Sequence, residues 1–304
     1  MRTLVIASQK GGVGKTNISV NLAICLAQLG KQVVLIDADL GLANVDVVLG
    51  LTPQKNIFHL FHEGATIADI LFPTPYGFSI LPASSGMSEM LTLSTAQKLE
   101  LLEAVDEMED GLDYLIVDTG AGISDNVLYF NMAAQERLVV LTPEPTSLTD
   151  SYALIKVLNA RYGLRDFMVI VNQVASASEA KSAFDKLHGA CRHFLHLEPV
   201  LLGHIRNDKK LPEAFIEGGR PAIKKYERVI NAVKVELLGE RELMKRTNLK
   251  QTQIMEVNNA KKAGFASGEK TEWLTLDRNK TFEFKITEAD YGGFYLLGWY
   301  IKNN

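Results

Sequence analysis

KGGVGKT occupies residues 10–16, between an apolar run at residues 4–7 and a segment of helical periodicity at residues 15–29. A glycine-rich loop in this setting, after a strand and at the start of a helix, is typical of a phosphate-binding P-loop. Its backbone N–H groups and the positive end of the helix dipole can bind phosphate oxygens. Lys15 is expected to reach the β- and γ-phosphates, and the Thr16 hydroxyl is expected to bind Mg²⁺. The segment therefore predicts a site for a nucleotide and Mg²⁺.

Further apolar runs of strand length alternate with segments of helical periodicity along the chain. Most of these runs are continuous, as expected for strands that are buried on both faces. The alternation predicts an α/β fold: a doubly wound, mostly parallel sheet with helices on both faces. The predicted strands are residues 4–7, 33–36, 78–81, 114–117, 138–141, 167–171 and 200–205, and the predicted helices are residues 15–29, 95–108, 124–133, 147–161, 179–195 and 211–217.

The composition changes toward the C-terminus. Residues 221–246 have the periodicity of a long last helix, and residues 258–270 are polar and small, as in a linker. Residues 271–301 are rich in aromatic and β-branched residues, which predicts two or three antiparallel strands with turns at residues 277–279 and 292–293. The expected division is a main domain at residues 1–247, a linker at 248–270 and a small β-rich appendage at 271–304.

Composition and charge exclude several classes of protein. The 304 residues are 47% hydrophobic and 22% charged, with a formal net charge of −4, as in a globular protein. No apolar run reaches the roughly 18 residues that cross a bilayer, and the charge balance gives no chain-wide nucleic-acid footprint. Residues 1–7 lack the features of a signal peptide, and Cys25 and Cys191 make no disulfide framework. We therefore expect a cytoplasmic protein.

Carboxylates follow two of the predicted strands. Asp37 and Asp39 come after the strand at residues 33–36, and Asp118 comes after the strand at residues 114–117. The carboxyl ends of parallel strands lie at the edge of the sheet where ligands bind. A nucleotide site needs carboxylates there to hold the water ligands of Mg²⁺ and to orient the attacking water. The pattern therefore predicts that Asp37, Asp39 and Asp118 lie beside the nucleotide and Mg²⁺, and it does not divide these roles among them.

The loop departs from the general P-loop pattern at its start. Gln9 stands where that pattern has its first glycine, and Lys10 is an additional lysine. With these features the loop resembles the deviant Walker A loop of the MinD/ParA family. The resemblance implies an ATPase that forms a homodimer with ATP, in which Lys10 of each chain contacts the nucleotide phosphate of the other chain.

Other segments extend this resemblance. Residues 37–46 resemble switch I of MinD-like ATPases, and residues 118–122 resemble a Walker B segment that runs into switch II. The resemblance implies that Asp39 positions or activates water, and that the metal-binding residues are Thr16, Asp37 and Asp118, with the aspartates acting through water. It also implies that Gly120 and Gly122 let switch II move with the γ-phosphate. The implied catalytic residues are Lys10, Lys15 and Asp39; the implied nucleotide-binding residues are Lys10, Gly11, Gly12, Val13, Gly14, Lys15, Thr16, Asn17, Asn172 and Asp208; the implied switch II residues are Asp118, Gly120 and Gly122.

Two of these residues belong to the base side of the site. Asn172 matches the asparagine that reads adenine in the family, and Asp208 falls in a second base-side loop. The family usually has a proline where this chain has Arg206, so the match at Asp208 is weaker than the match at Asn172.

Three phrases resemble the FlhG/FleN branch of the family: DADLGLANVDVVLG at residues 37–50, DTGAGIS at 118–124 and TPEPTSLTDSYALIK at 142–156. The similarity covers roughly residues 2–240. It implies a switch that regulates flagellar number and placement. The implied partner is an FlhF-like GTPase, a transcription activator or a component of the flagellar switch.

The C-terminal part bears on localisation. MinD-like proteins usually end in a short amphipathic membrane-targeting helix, whereas this chain has the aromatic segment at residues 271–301. Residues 220–250 carry nine basic and four acidic residues, which favours contact with an anionic membrane surface. The apolar stripe in the same segment is also explained as core. Peripheral contact with the inner face of the cell membrane is therefore an open expectation.

Other functions on the same scaffold remain as alternatives. ParA-like partition of a chromosome or plasmid and MinD-like selection of the division site share the predicted switch; DNA is the less favoured partner, since the chain is slightly acidic. A cobyrinate a,c-diamide synthase-like enzyme would need a glutaminase domain with a nucleophilic cysteine, and no cysteine follows residue 240. An iron–sulfur carrier would need paired cysteines, and a scaffold without turnover would not need the residues of hydrolysis.

Overall fold

The computed structural model describes residues 1–40, 44–83, 93–108, 111–207, 272–277, 280–284 and 300–302. It divides the chain into two compact units, Met1–Tyr226 and Glu227–Asn304. The predicted domain boundaries at residues 247 and 270 stay predictions. The predicted helices at residues 211–217 and 221–246 and the predicted linker lie outside the described residues.

The first unit is built on an eight-stranded sheet with the order β3-β4-β2-β5-β1-β6-β7-β8. All neighbouring strands pair in parallel except β3 and β4, which are antiparallel. The predicted α/β fold with a doubly wound, mostly parallel sheet is therefore confirmed. The strands are β1 Arg2–Ser8, β2 Val33–Ala38, β3 Phe72–Pro73, β4 Ser79–Leu81, β5 Tyr114–Ala121, β6 Glu136–Leu141, β7 Met168–Val174 and β8 Val200–Arg206.

Helices cover both faces of this sheet. The chain passes from β1 through the first helix to β2 in one direction, and from β5 through β6 and β7 to β8 in the other. Right-handed crossovers place the connecting helices on opposite faces in these two cases. The described helices are α1 Lys15–Gln28, α2 Val45–Leu49, α3 Ile57–Glu63, α4 Ile67–Ile70, α5 Thr95–Asp106, α6 Asp125–Ala133, α7 Pro145–Tyr162 and α8 Ala177–Leu195.

The sheet is buried on both sides, which explains the continuous apolar runs. Val5 belongs to a cluster with residues of α3, α4 and α5, whereas Ala7 packs with residues of α7 and α8. Leu4 and Ile6 alternate with them, point to the other face and are at most 1% exposed. In a strand with both faces covered, a polar side chain would be buried. Polar residues at its carboxyl end are therefore candidates for a functional site.

The short elements between β2 and β4 were not predicted from the sequence. Helices α2, α3 and α4 have four to seven residues, which is too short to show a helical period. Their ends are fixed by local bonds instead. Thr66 forms a reciprocal capping box with Asp69 at the start of α4, and Gly50 and Gly64 take left-handed conformations at the ends of α2 and α3.

The second unit contains a three-stranded antiparallel sheet with the order β11-β10-β9. Its strands are β9 Glu272–Asp277, β10 Lys280–Phe284 and β11 Tyr300–Lys302. The prediction of antiparallel strands in the C-terminal segment is confirmed. The predicted turn at residues 292–293 lies outside the described residues.

Candidate functional site

The loop between β1 and α1 has the backbone that an anion site requires. Gly12 and Gly14 have φ angles of 75° and 92°, a left-handed region that glycine enters without strain. Gly14 is also the N-cap of α1, and no side chain caps the helix there. The N-terminus of α1 therefore keeps its positive dipole end and its N–H groups for an external anion.

The side chain of Lys15, the first residue of α1, is buried beside this loop. It is 9% exposed, and its Nζ donates to the hydroxyl oxygen of Ser8 at 2.9 Å. Ser8 Oγ in turn donates to the carbonyl oxygen of Lys10 at 2.7 Å. Burial lowers the pKa of the Lys15 ammonium from its ordinary value, and the nearby charges of Asp118 and Asp39 offset part of that effect. The site thus holds a buried cation that can bind a phosphate.

Two buried aspartates lie side by side on adjacent strands, and the charge of one of them, Asp118, acts on Lys15. Asp37 on β2 and Asp118 on β5 are register partners and are 2% and 1% exposed. Burial, and then the charge of Asp118, raises the pKa of Asp37 to about 7, although three backbone N–H groups donate to its carboxylate. Burial also raises the pKa of Asp118 to about 6, against hydrogen bonds from Thr16 and Ser19.

This pair fits a hydrated Mg²⁺. In the described part of the chain, no group of three or more His, Cys, Asp and Glu residues forms a complete metal site. Mg²⁺ does not need one, because it keeps several waters and binds one or two carboxylates together with substrate phosphates. Two carboxylates whose charges are held close together in a buried place, beside the Thr16 hydroxyl, supply that donor set.

Asp39 lies where the cluster opens to solvent. A Cβ atom added at Gly120 would lie 3.1 Å from Asp39 Oδ1, so the backbone of β5 runs directly against this carboxylate. Gly122 follows with a φ angle of 102°, and its N–H donates to the carbonyl oxygen of Ser8. The two segments predicted as switches I and II therefore touch each other, and the second also contacts the end of β1 at Ser8. Residues 41–43 of the first one lie outside the described residues.

Lys10 contacts the start of α7. Its ammonium forms an ion pair with the carboxylate of Glu144 and donates to Thr146 Oγ1 at 3.2 Å. Glu144 is the N-cap of α7, and its side chain is 59% exposed. The two lysines of the loop thus occupy different places, with Lys15 inside the site and Lys10 at the surface.

The structure brings most of the predicted site residues together. Lys15, Thr16, Asp39 and Asp118 form one cluster with Asp37, and Asn172 reaches the loop at Val13. Asn17 lies in the first turn of α1, and its Oδ1 is buried without a hydrogen-bond partner among the described residues. Asp208 lies outside the described residues.

Several residues that contact the site, Ser8, Ser19, Glu144 and Gln173 among them, were not predicted from the sequence. Ser8 ends β1 at the same sheet edge as Asp37 and Asp118, so the strand-end rule applied to the aspartates could have found it. Glu144 and Gln173 meet the loop across more than 130 residues of chain, and neither the phrase that contains Glu144 nor the sequence around Gln173 indicates these contacts. Ser19 is one helical turn beyond Lys15, on a helix with several other small polar residues from which the sequence does not distinguish it.

Comparisons with known proteins agree with this geometry. A family model described as "AAA domain" matches residues 1–167. The antiactivator FleN of Pseudomonas aeruginosa is 45% identical over 214 residues, which cover 70% of this chain and 76% of FleN. The chain belongs to the MinD/ParA-type ATPases of the AAA domain family. The flagellum site-determining protein YlxH of Helicobacter pylori is 36% identical over 209 residues, 68% of this chain and 70% of YlxH.

Solved MinD structures share the fold of this ATPase. The cell division ATPase MinD of Pyrococcus furiosus superposes with a TM-score of 0.63 at 25% identity, covering 78% of this chain and 99% of MinD. The MinD of Pyrococcus horikoshii, solved in complex with Mg-ADP, superposes with a TM-score of 0.63 at 22% identity, covering 77% and 96%. In the described part of this ATPase, no helix combines the length and the apolar character that crossing a membrane requires.

The two raised pKa values give the nucleotide-free ATPase an unusual pH dependence. The folded chain binds protons more tightly at Asp37 and Asp118 than the unfolded chain, whose aspartates titrate near 3.8. Without Mg²⁺, the free energy of unfolding should therefore fall as the pH rises from 5 to 8, by on the order of 2 kcal/mol. Urea unfolding at both pH values in a chelating buffer measures this difference.

The matched variants are Asp37→Asn, which should reduce this pH dependence to the part that Asp118 contributes, and Asp185→Asn, which changes an exposed carboxylate on α8 and should leave it as in the parent. A free energy of unfolding that rises with pH over this interval would contradict the assigned burial of the pair.

Proposed function

We propose that this chain is an ATP-dependent dimerising switch, in which ATP binding joins two chains and hydrolysis separates them. The observation that carries the proposal is the position of Lys10. Its ammonium lies on Glu144 and Thr146 at the surface, while Lys15 alone occupies the buried cluster. A lysine of the phosphate loop whose ammonium lies on an exposed carboxylate, and not in the buried cluster, is suited to reach a nucleotide held by a second copy.

The residues of the cluster divide the work of hydrolysis. The N–H groups of the loop and Lys15 bind the phosphates, and Thr16, Asp37 and Asp118 hold Mg²⁺ directly or through water. Asp39 orients the attacking water, since it is the carboxylate of the cluster that lies against switch II at Gly120. Bound Mg²⁺ supplies positive charge that offsets the charge developing on the phosphates.

The names of the relatives support a role in flagellar number or placement. FleN is described as an antiactivator and YlxH as a flagellum site-determining protein. In this proposal the ATP-bound dimer engages an FlhF-like GTPase, a transcription activator or a component of the flagellar switch. Peripheral contact with the inner face of the cell membrane belongs to the same proposal. Counting flagella by electron microscopy in cells that lack the protein tests this role, and a normal count and placement would refute it.

Dimer formation is tested with a variant that cannot turn over its nucleotide. Light scattering should show that the mass of the Asp39→Ala chain doubles when Mg-ATP is added. Adding Lys10→Ala to this variant should abolish the doubling, because the residue that reaches across the interface is gone. A chain that binds ATP and stays monomeric would refute the switch. Doubling that survives Lys10→Ala would refute the cross-dimer role of Lys10.

The contact between Lys10 and Glu144 should compete with dimer formation. In the Asp39→Ala background, Glu144→Gln removes the charge that holds Lys10, so half-maximal dimerisation should need about two- to fivefold less ATP, as expected for an exposed ion pair. Light scattering across an ATP titration measures the shift. Glu198→Gln is the matched control, because Glu198 contacts His188 and forms an exposed ion pair with Arg192 instead. An unchanged or increased ATP requirement would count against the competition.

A further inference from the structure

Two consecutive side-chain amides at the end of β7 hold peptide groups of the P-loop. Asn172 Nδ2 donates to the carbonyl oxygen of Val13 at 2.7 Å, and Gln173 Nε2 donates to the carbonyl oxygen of Gly12 at 3.1 Å. Asn172 Oδ1 also accepts the backbone N–H of Gln173 at 2.9 Å. The resemblance assigns a nucleotide contact to Asn172 alone, so the role of Gln173 is open.

The backbone of Gln173 is the reason that both amides reach the loop. In a regular strand, consecutive side chains point to opposite faces. Gln173 has a φ angle of 60°, in the left-handed region. Between Val171 and Val174, two residues of β7 lie opposite one residue of β8. This is a β-bulge, a device that re-aims a side chain and is common next to active sites.

The left-handed conformation at Gln173 is not explained by a helix end. Among the described residues other than glycine, His196 also has a positive φ angle, and it is the C-cap of α8, where this conformation is common. Gln173 lies inside a strand instead. A long side chain in this conformation carries strain, and such strain concentrates at functional sites.

The two hydrogen bonds fix the direction of two N–H groups. The C=O and N–H of a trans peptide point in opposite directions. The carbonyl of Gly12 shares its peptide plane with the N–H of Val13, and the carbonyl of Val13 shares its plane with the N–H of Gly14. With both carbonyls bound to β7, these N–H groups point away from the two amides. Binding of an anion by a loop requires N–H groups that converge in this way.

Packing holds the loop at Val13 and Gly14. Val13 is 1% exposed, and a Cβ atom added at Gly14 would lie 2.4 Å from Asn172 Nδ2. The amide of Asn172 therefore lies directly against the backbone of Gly14. Gln173 is exposed and contacts the loop at its solvent side, where packing does not hold Gly12 in place.

We infer that Gln173 is a positioning residue of the nucleotide site, whose amide orients the peptide between Gly12 and Val13 so that the Val13 N–H faces the phosphates of ATP. This role rests on the proposed ATP binding. Gln173 acts through its hydrogen bond to the loop rather than by touching the nucleotide. Its left-handed backbone is what allows it to work beside Asn172.

The test separates the amide from the backbone conformation. Gln173→Gly keeps the left-handed conformation without strain and removes the amide. Titration with a fluorescent ATP analogue and Mg²⁺ should show about threefold to tenfold weaker binding than in the parent, the effect of one lost hydrogen bond. The melting temperature should stay within about 2 °C of the parent, because the relieved strain offsets the added freedom of the unfolded chain.

A second measurement needs no nucleotide. Hydrogen exchange of the free chain, followed by mass spectrometry on peptides that span residues 9–17, should be about threefold to tenfold faster in Gln173→Gly than in the parent. His196→Gly is the matched control, since it relaxes the other left-handed residue far from the loop. This control should change neither the exchange of the loop nor the affinity for the analogue.

The outcomes divide cleanly. Unchanged exchange and unchanged affinity in Gln173→Gly would overturn the positioning role. A fall in melting temperature together with the loss of affinity would assign Gln173 a merely structural role. If the parent itself failed to bind the analogue, the proposed function would fail, and the exchange of the free loop would still decide whether Gln173 holds it.

Discussion

Replacing Asp39 with alanine is expected to slow ATP hydrolysis by at least about 100-fold, the usual effect of removing a group that positions or activates water. Affinity for Mg-ATP should be kept. Asp39 is one of the charges that raise the pKa of Asp118, so its removal eases the crowding of negative charge around the metal site. Phosphate release under single-turnover conditions measures the rate, and nucleotide titration measures the affinity.

The control for this substitution is Asp185→Ala, which removes an exposed carboxylate from α8 and should hydrolyse ATP at the parent rate. Asp39→Asn distinguishes charge from size, because it keeps the contact with Gly120 and loses the ionised carboxylate. Turnover of Asp39→Ala at the parent rate would remove Asp39 from the hydrolytic machinery.

Replacing Lys15 with glutamine is expected to weaken Mg-ATP binding by about 100-fold, since a buried charge-assisted hydrogen bond to phosphate is lost. A second effect acts in the same direction. The Lys15 charge lowers the pKa of Asp118, so without it Asp118 is protonated more readily and competes less well for Mg²⁺. Isothermal titration with Mg-ATP measures the loss.

The two lysines of the loop should behave differently in this assay. Lys10→Ala should bind Mg-ATP as a monomer with little loss, because its ammonium lies outside the buried cluster on Glu144. Lys156→Ala, which removes an exposed lysine from α7, should bind as the parent does. Equal losses for Lys10→Ala and Lys15→Gln would show that both lysines act within one chain.

The strand ends and the loop could be predicted from the sequence because their signals are local. A continuous apolar run identifies a buried parallel strand, and the polar residue that ends it then falls at the ligand edge, as Asp37 and Asp118 do. The glycine pattern of residues 10–16 fixed the position of Lys15 in the same way, since the loop geometry depends on a few neighbouring residues.

Other parts of the site depend on contacts that no local pattern encodes. The pairing of Lys10 with Glu144 spans 134 residues and is set by where α7 begins on the folded sheet. The conformation of Gln173 is equally hidden, because glutamine has no preference for a left-handed backbone and only the bulge against β8 imposes it. Short helices such as α4 depend on caps rather than on periodicity.

The outermost strand of the main sheet restricts how chains can associate. Strand β3 has two residues, Phe72 and Pro73, and pairs with β4. An edge of this kind offers almost no free backbone for another strand, because it is short and proline has no N–H to donate. Continuation of the sheet into a neighbouring molecule is therefore blocked at this edge. The same feature protects this edge against edge-to-edge aggregation, whereas the other edge of the sheet is the seven-residue strand β8.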